Sequence, residues 1–361
     1  MVDLEKFITK LRTVDFDEED MADARREDIN IEDIAEEVER IIEIVPQQPT
    51  KISSRKESRE MVRETMAKLG SLRKAYDASY DHFRDAELTR DGESLCILFS
   101  DWHFGKVVKK PGGEIIFDSK IAFDRVVNDF IPQIINIIKD VNRVDRIEDI
   151  RIFFVGDIVD NDIVYSTQRL HIDKPVASQF HDVTRAIMMF IAGIRAAFAD
   201  MGKVDIPIKM ESVPGNHGRG SEFSDDAGCS WDTAIMSAVE LAVIYSEIPN
   251  VEVKFSLDKY LMVDVRGHKG LLRHGAPPQA ETSAGKAKFG GWNDLFDFDF
   301  LCYGHVHHWG INTYNGKPLF RNGALCGTDD YAIELAVGDN WGQLVWGISD
   351  KDVPTFINRL H

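Results

Sequence analysis

From residue 94 onward the chain alternates short apolar runs with longer amphipathic stretches. The runs at 94–100, 150–155, 208–213, 261–265, 270–273 and 300–303 are brief and rich in β-branched and aromatic residues, the pattern of buried strands. Between them, residues 120–141, 175–200 and 231–248 carry apolar positions at helical spacing, which predicts helices. The apolar stretch from Ala186 to Ala199 is short and carries Arg195, so it is expected as a buried helix rather than a membrane span. Strands alternating with helices predict an α/β body.

The first 90 residues follow a different pattern. Ile31, Ile34, Ala35, Val38, Ile41 and Ile42 recur at helical spacing behind Asn30, a candidate N-cap. Pro46 and Pro49 then break the chain. A second helix is expected over about 53–83, with Met61, Met66, Leu69, Leu72 and Tyr76 on its apolar face. Its basic stripe is Arg55, Lys56, Arg59, Arg63, Lys68, Arg73 and Lys74. The expected division is a helical appendage over 1–90 and an α/β domain over 91–361. Helical packing or oligomerisation is the first reading of the appendage, and contact with DNA the second.

Composition narrows the class. With 361 residues, 43% of them hydrophobic and 29% charged, the chain has material for a real core. No basic and apolar leader opens it, and no run approaches a membrane span, so a cytoplasmic protein without membrane contact is expected. Cys96, Cys229, Cys302 and Cys326 form no CxxC pair, which leaves no thiolate zinc or redox motif. The net charge of −18 speaks against a general nucleic-acid binder. That charge is uneven: residues 1–50 hold 6 basic and 16 acidic side chains, whereas 51–90 hold 10 basic and 7 acidic.

The chemistry sits where the predicted strands end. Asp101-Trp102-His103 follows the first run, and Gly156-Asp157-Ile158-Val159-Asp160 follows the second. Gly215-Asn216-His217 follows the third, His274-Gly275 the 270–273 run, and Gly304-His305-Val306-His307 the last. Loops at the carboxyl ends of strands are where α/β sheets bind ligands. Five of the 11 histidines fall on these positions. Carboxylate, imidazole and amide groups without thiolate suit Mn²⁺, Fe or Zn²⁺.

The ordered set Asp-x-His, Gly-Asp-x-x-Asp, Gly-Asn-His, strand-end His and Gly-His-x-His resembles the calcineurin-like metallophosphoesterase superfamily, over roughly residues 94–330. Within it, Asn322-Gly323-Ala324-Leu325 and Gly327-Thr328-Asp329-Asp330-Tyr331 look closest to phage or prophage members. The resemblance implies a four-layer α/β/β/α sandwich and two divalent metal ions, Mn²⁺ first and Fe or Zn²⁺ as alternatives. It assigns Asp157 as the shared ligand, Asp101, His103 and His307 to one metal, and Asn216, His274 and His305 to the other. It also implies attack on phosphorus by a metal-bridging hydroxide, with His217 at the leaving group and Asp160 holding the other ring nitrogen of His217. Here Gly218 stands where the family usually has Asp or Glu. His268, in a Gly-flanked turn, competes with His274 for the fourth motif; His274 is preferred because it ends a strand. His308 extends the last motif and is not expected to ligate. Arg169, His171 and Arg219 are candidate phosphate contacts, as are Lys286 and Lys288 in a Gly-flanked loop.

The function expected from these residues is hydrolysis of phosphoesters, with a phosphodiesterase or nuclease acting on DNA, RNA or nucleotides preferred. A phosphomonoesterase is the alternative, and a DNA-binding scaffold with a degenerate site is the alternative outside enzymes. Removing residues 1–90 should change either the oligomeric state or the affinity for DNA. Light scattering and fluorescence anisotropy read the two, and unchanged values in both would dismiss both roles of the appendage.

Overall fold

Strand β1 (Glu93–Phe99) is buried at every residue, and this decides the layering. Alternate side chains of a strand face opposite ways, so the apolar run over 95–99 needs cover on both faces. Leu95, Ile97 and Phe99 pack into one core and Cys96 and Leu98 into another. The computed structural model describes residues 92–165, 168–221, 226–275, 282–329, 332–333 and 338–361. The expected appendage, its basic helix included, lies outside those residues.

In chain order, β1 is followed by a small ribbon of β2 (Val108–Lys109) and β3 (Ile115–Phe117). Next come α1 (Ser119–Asp124), a π-helical turn at Arg125–Asp129 and α2 (Phe130–Asp140). The continuous helix expected over 120–141 is thus interrupted. Pro132 has no N–H to give the Asn128 carbonyl, and the turn before it widens. Then follow β4 (Ile147–Val155), α3 (Val176–Asp200), β5 (Ile208–Val213), α4 (Trp231–Tyr245), β6 (Val251–Phe255), β7 (Tyr260–Val265) and β8 (His268–Arg273). The rest comprises α5 (Ser283–Phe296), β9 (Phe300–Tyr303), β10 (Gly310–Tyr314), β11 (Lys317–Arg321), β12 (Gln343–Ser349) and β13 (Ile357–Leu360). Lys286 and Lys288 therefore sit on a helix rather than in the expected loop. Thr282 caps it by accepting from Gly285 N at 3.0 Å, and Asp297 closes it in the left-handed region at φ 46°.

One sheet runs β13-β12-β1-β4-β5-β6, and the other β10-β11-β9-β8-β7. β1, β4, β5 and β6 are mutually parallel, as are β8, β9 and β11, so their carboxyl ends lie along common sheet edges. The sheets face each other through Leu98, Phe153, Val155, Val213, Leu272, Phe300, Phe320 and Trp346. Helices α2, α3 and α4 cover the outer face of the first sheet, with Phe130, Ile134, Phe190, Ile194, Ile235 and Val239. Helix α5 covers the second sheet through Phe289, which packs with Leu271, Leu301 and Leu319. The result is the four-layer α/β/β/α arrangement.

Phe99 anchors the first sheet to its helices directly beneath Asp101. Its ring lies 5.0–5.4 Å from those of Trp102, Phe130, Phe154 and Phe190. Phe99→Ala should cost about 3–5 kcal/mol of stability, read from the shift of the urea midpoint at unchanged slope.

Candidate metal centre

Five side chains proposed from the sequence as ligands stand on strained backbone. Asp101 (φ 51°), His103 (φ 46°), Asp157 (φ 54°), His305 (φ 77°) and His307 (φ 56°) all occupy the left-handed region, where a residue with a Cβ costs roughly 1–2 kcal/mol. Close packing of the loops holds them there. A Cβ on Gly215 would lie 2.1 Å from Asp157 Oδ1, and one on Gly304 would lie 2.3 Å from Asp101 Oδ2. His305 N donates to both carboxylate oxygens of Asp101, at 3.1 and 3.0 Å.

The resulting geometry brings all seven candidates together. Asp101, His103 and His307 form one cluster whose ligand atoms lie within 4.8 Å of one another; Asp157, His274 and His305 form a second. Asp157 also belongs to a cluster of that size with His103 and His217, so its carboxylate reaches toward both. Asn216 Oδ1 joins the second set, 2.9 Å from His274 Nε2.

The hydrogen bonds on the outward ring nitrogens set the orientation of the inward ones. His103 Nδ1 faces Asp160 Oδ1 at 3.0 Å and His307 Nδ1 faces Asp329 Oδ2 at 3.0 Å. A carboxylate there accepts the ring N–H, which turns each Nε2 lone pair inward. The two Nε2 atoms then meet at 2.9 Å, with Asp101 Oδ1 at 3.9 and 3.7 Å. Burial first, then His217 beside it, holds the His103 imidazole down at about 4, so the ring is neutral. Two ring nitrogens and a carboxylate oxygen thus converge, and a divalent cation fits that donor set. On the other side His274 Nδ1 donates to Val155 O at 2.7 Å, leaving Nε2 2.9 Å from Asp157 Oδ2. Burial opposes charge on His274, yet Asp157 outweighs it and lifts the imidazole to about 9. A proton there occupies the place a cation would take.

His217 lies at the rim, its side chain 18% exposed. Its Nδ1 is 3.3 Å from Asp160 Oδ1 and 3.1 Å from the Asp160 carbonyl, with Gln168 Nε2 at 3.2 Å. Asp160 thus touches both His103 and His217. Arg219 keeps to the same rim: its Nε donates to Asn216 O at 2.8 Å and its guanidinium lies 5.7 Å from the Tyr165 ring. Tyr165 OH in turn accepts from Asn216 Nδ2 at 2.9 Å. Arg169 instead donates to the Asp162 carbonyl on an exposed turn, and the His171 side chain is exposed; neither is drawn to the ligand set. His268 starts β8, at the opposite end from His274, and its Nε2 pairs with Ser349 O at 3.0 Å. His308 Nδ1 lies 3.3 Å from Asp339 Oδ2, outside the clusters.

Several supporting residues escaped the sequence reading. Asp329, noted only as part of a phage-like stretch, orients His307 and forms an ion pair with Lys106. Asn161 donates to the carbonyls of His217 and Arg219, both at 2.8 Å, and so fixes the third motif's loop. Asn161 directly follows the Gly-Asp-x-x-Asp motif, and Lys106 is three residues after His103. Proximity to a motif was the available signal.

No protein-family model matches the chain, and no curated protein matches it. Similar solved structures include Vps29 of Entamoeba histolytica complexed with Zn²⁺, at 13% identity and TM-score 0.28, covering 73% of this chain and 97% of that one. An archaeal phosphodiesterase matches at 10% identity and TM-score 0.33, covering 73% and 98%. A Streptococcus pneumoniae protein described as a predicted phosphoesterase matches at 11% identity and TM-score 0.28, covering 74% and 97%. Likenesses this distant carry no argument about activity, which is left to the residues of the site.

Asp329→Ala should weaken Mn²⁺ binding about 10–100-fold, because His307 loses the partner that sets its tautomer, while His268→Ala leaves binding unchanged. Calorimetric titration of the metal-free protein reads both.

Proposed function

We propose that the chain is a metal-dependent phosphoesterase of the calcineurin-like type, holding two divalent cations and acting by preference on phosphodiesters in nucleic acids or nucleotides. The observation that carries this reading is the Asp157 carboxylate, placed within reach of two clusters of inward-facing donors. Asp101, His103, His307 and Asp157 would hold one ion, and Asp157, Asn216, His274 and His305 the other. Bound there, divalent cations would supply Lewis acidity, polarising phosphoryl oxygens and making water more acidic.

The chain's own groups supply the rest. His217, at the rim and steadied through Nδ1 by Asp160, is placed to hand a proton to the leaving oxygen. Arg219, beside it, offers its guanidinium to a non-bridging phosphate oxygen. Gln168 and Asn161 keep the His217 loop in place as substrate enters. Preference for a diester is supported by the basic stripe from Arg55 to Lys74, a second source of cations for a polyanion, and by the phage-like stretch at 322–331. Among the described residues no helix is long and apolar enough to cross a membrane.

With Mn²⁺ present, the protein should hydrolyse bis(p-nitrophenyl) phosphate faster than p-nitrophenyl phosphate. The reverse ratio would move the assignment to a phosphomonoesterase. Fewer than one metal per chain with no turnover of either ester would make the protein a non-catalytic scaffold. Asp157→Asn, measured beside the wild type, should lose more than the roughly 10–100-fold that removing an outer partner costs.

A further inference from the structure

Asp232 is the second residue of α4, completely buried, and belongs to none of the motifs. Its carboxylate accepts three backbone N–H groups from two different loops. Oδ2 takes Asp157 N at 3.0 Å and Gly215 N at 2.8 Å, and Oδ1 takes Ile158 N at 3.1 Å. These amides belong to the turn that carries Asp157 and to the turn that carries Asn216, the two ligands that must meet across the second metal position. Among the described residues no other side chain accepts from both turns, which are also joined where His217 N donates to Asp157 Oδ1 at 2.7 Å. Its own position is set from behind, since Ser230 Oγ caps α4 by accepting from Asp232 N at 3.2 Å. A carboxylate in the first turn of a helix is also favoured by the helix dipole.

Gly218 completes the picture. A Cβ at this position would lie 2.7 Å from Asp232 Oδ2 and 2.6 Å from Ser230 Oγ. Its φ is not in the left-handed region, so space rather than backbone freedom demands glycine. The volume beside the third motif that a side chain at 218 would fill is filled from α4 instead.

We propose that Asp232 is a positioning residue of the metal centre: it staples the Asp157 turn to the Asn216 turn, and Gly218 is side-chain-free so that it can. The proposal rests on the reading of Asp157 and Asn216 as metal ligands. A peptide N–H aimed at a carboxylate has little freedom, so three such bonds fix the separation of the two turns before any ion arrives. A Leu at 232 fills the volume but offers no acceptor, so all three bonds are lost, including both of those that Oδ2 makes to join the turns.

The test is Mn²⁺ titration of metal-free protein by calorimetry, with thermal melting in EDTA to report the fold separately. For Asp232→Leu the expected result is Mn²⁺ binding weakened about 10–100-fold, or one of two equivalents lost, with the EDTA melt still cooperative. Affinity within about twofold of wild type would overturn the proposal. Should that variant fail to fold, Gly218→Ala reads the same staple with the carboxylate retained. Its methyl would press on Asp232 Oδ2 and Ser230 Oγ together, so Mn²⁺ binding should weaken with the EDTA melt still cooperative. Affinity within about twofold of wild type for that variant would also overturn the proposal. Wild-type protein that binds no Mn²⁺ would instead bring down the metal-centre reading itself, whereas wild-type binding with unaltered variants removes only the role of Asp232.

Discussion

Two imidazole nitrogens and a carboxylate buried within a few ångströms of one another are costly unless positive charge sits among them. Here the Nε2 atoms of His103 and His307 face each other at 2.9 Å, with each ring's other nitrogen already committed to a carboxylate. On the other side His274 Nε2, which carries a proton, faces Asp157 Oδ2 and Asn216 Oδ1, both at 2.9 Å. Positive charge among these groups, from a proton or a cation, offsets that cost. Much of the rest follows from holding these acceptors together: left-handed backbone at five ligand positions, glycines where loops touch, and outward carboxylates that set each tautomer.

Rigid surroundings make that concentration of strain tolerable. Parallel strands from both sheets end along common edges, so five motifs separated widely in sequence reach one place without long excursions. Beneath them the aromatic cluster around Phe99 ties the first sheet to α2 and α3. Strained residues persist where the surrounding structure over-determines them. The negative charge of the chain is then compatible with a phosphate-bearing substrate, because attraction would be local to the ions and to Arg219 rather than spread over a basic surface.

The strands that bear motifs were legible because each is a run of apolar residues followed at once by chemistry, as in Ile152-Phe153-Phe154-Val155 before Gly156-Asp157. The candidate residues that the structure brings together were legible for the same reason, and His274 at a strand end lies among them whereas His268 does not. What pattern could not show is anything decided across the fold. Asp329 and Asp232 look like ordinary acidic residues until their partners, 22 and 75 residues away in the chain, are in place. Strands β10 to β13 went unread, and Gly347 in β12 and Pro318 in β11 dilute the apolar signal there. Lys286 and Lys288 were misplaced because the pair Gly290-Gly291 reads as a breaker, whereas a good N-cap and the packing of Phe289 carry the helix through it.

Strand β12 lies antiparallel to β1, although some 240 residues separate them in the chain. Gln343, at its start, accepts from Ser100 N at 3.0 Å and Trp102 Nε1 at 3.2 Å, and Asn322 bridges the two segments. The turn bearing Asp101 and His103 is therefore clasped by a part of the molecule made long after it. On the ribosome, where domains emerge from the N-terminal side first, motif after motif would leave the exit tunnel while that clasp is still unmade. Until Gln343 is in place, Ser100 N and Trp102 Nε1 lack the acceptor they share in the finished fold, so the first motif in the chain is among the last to be completed.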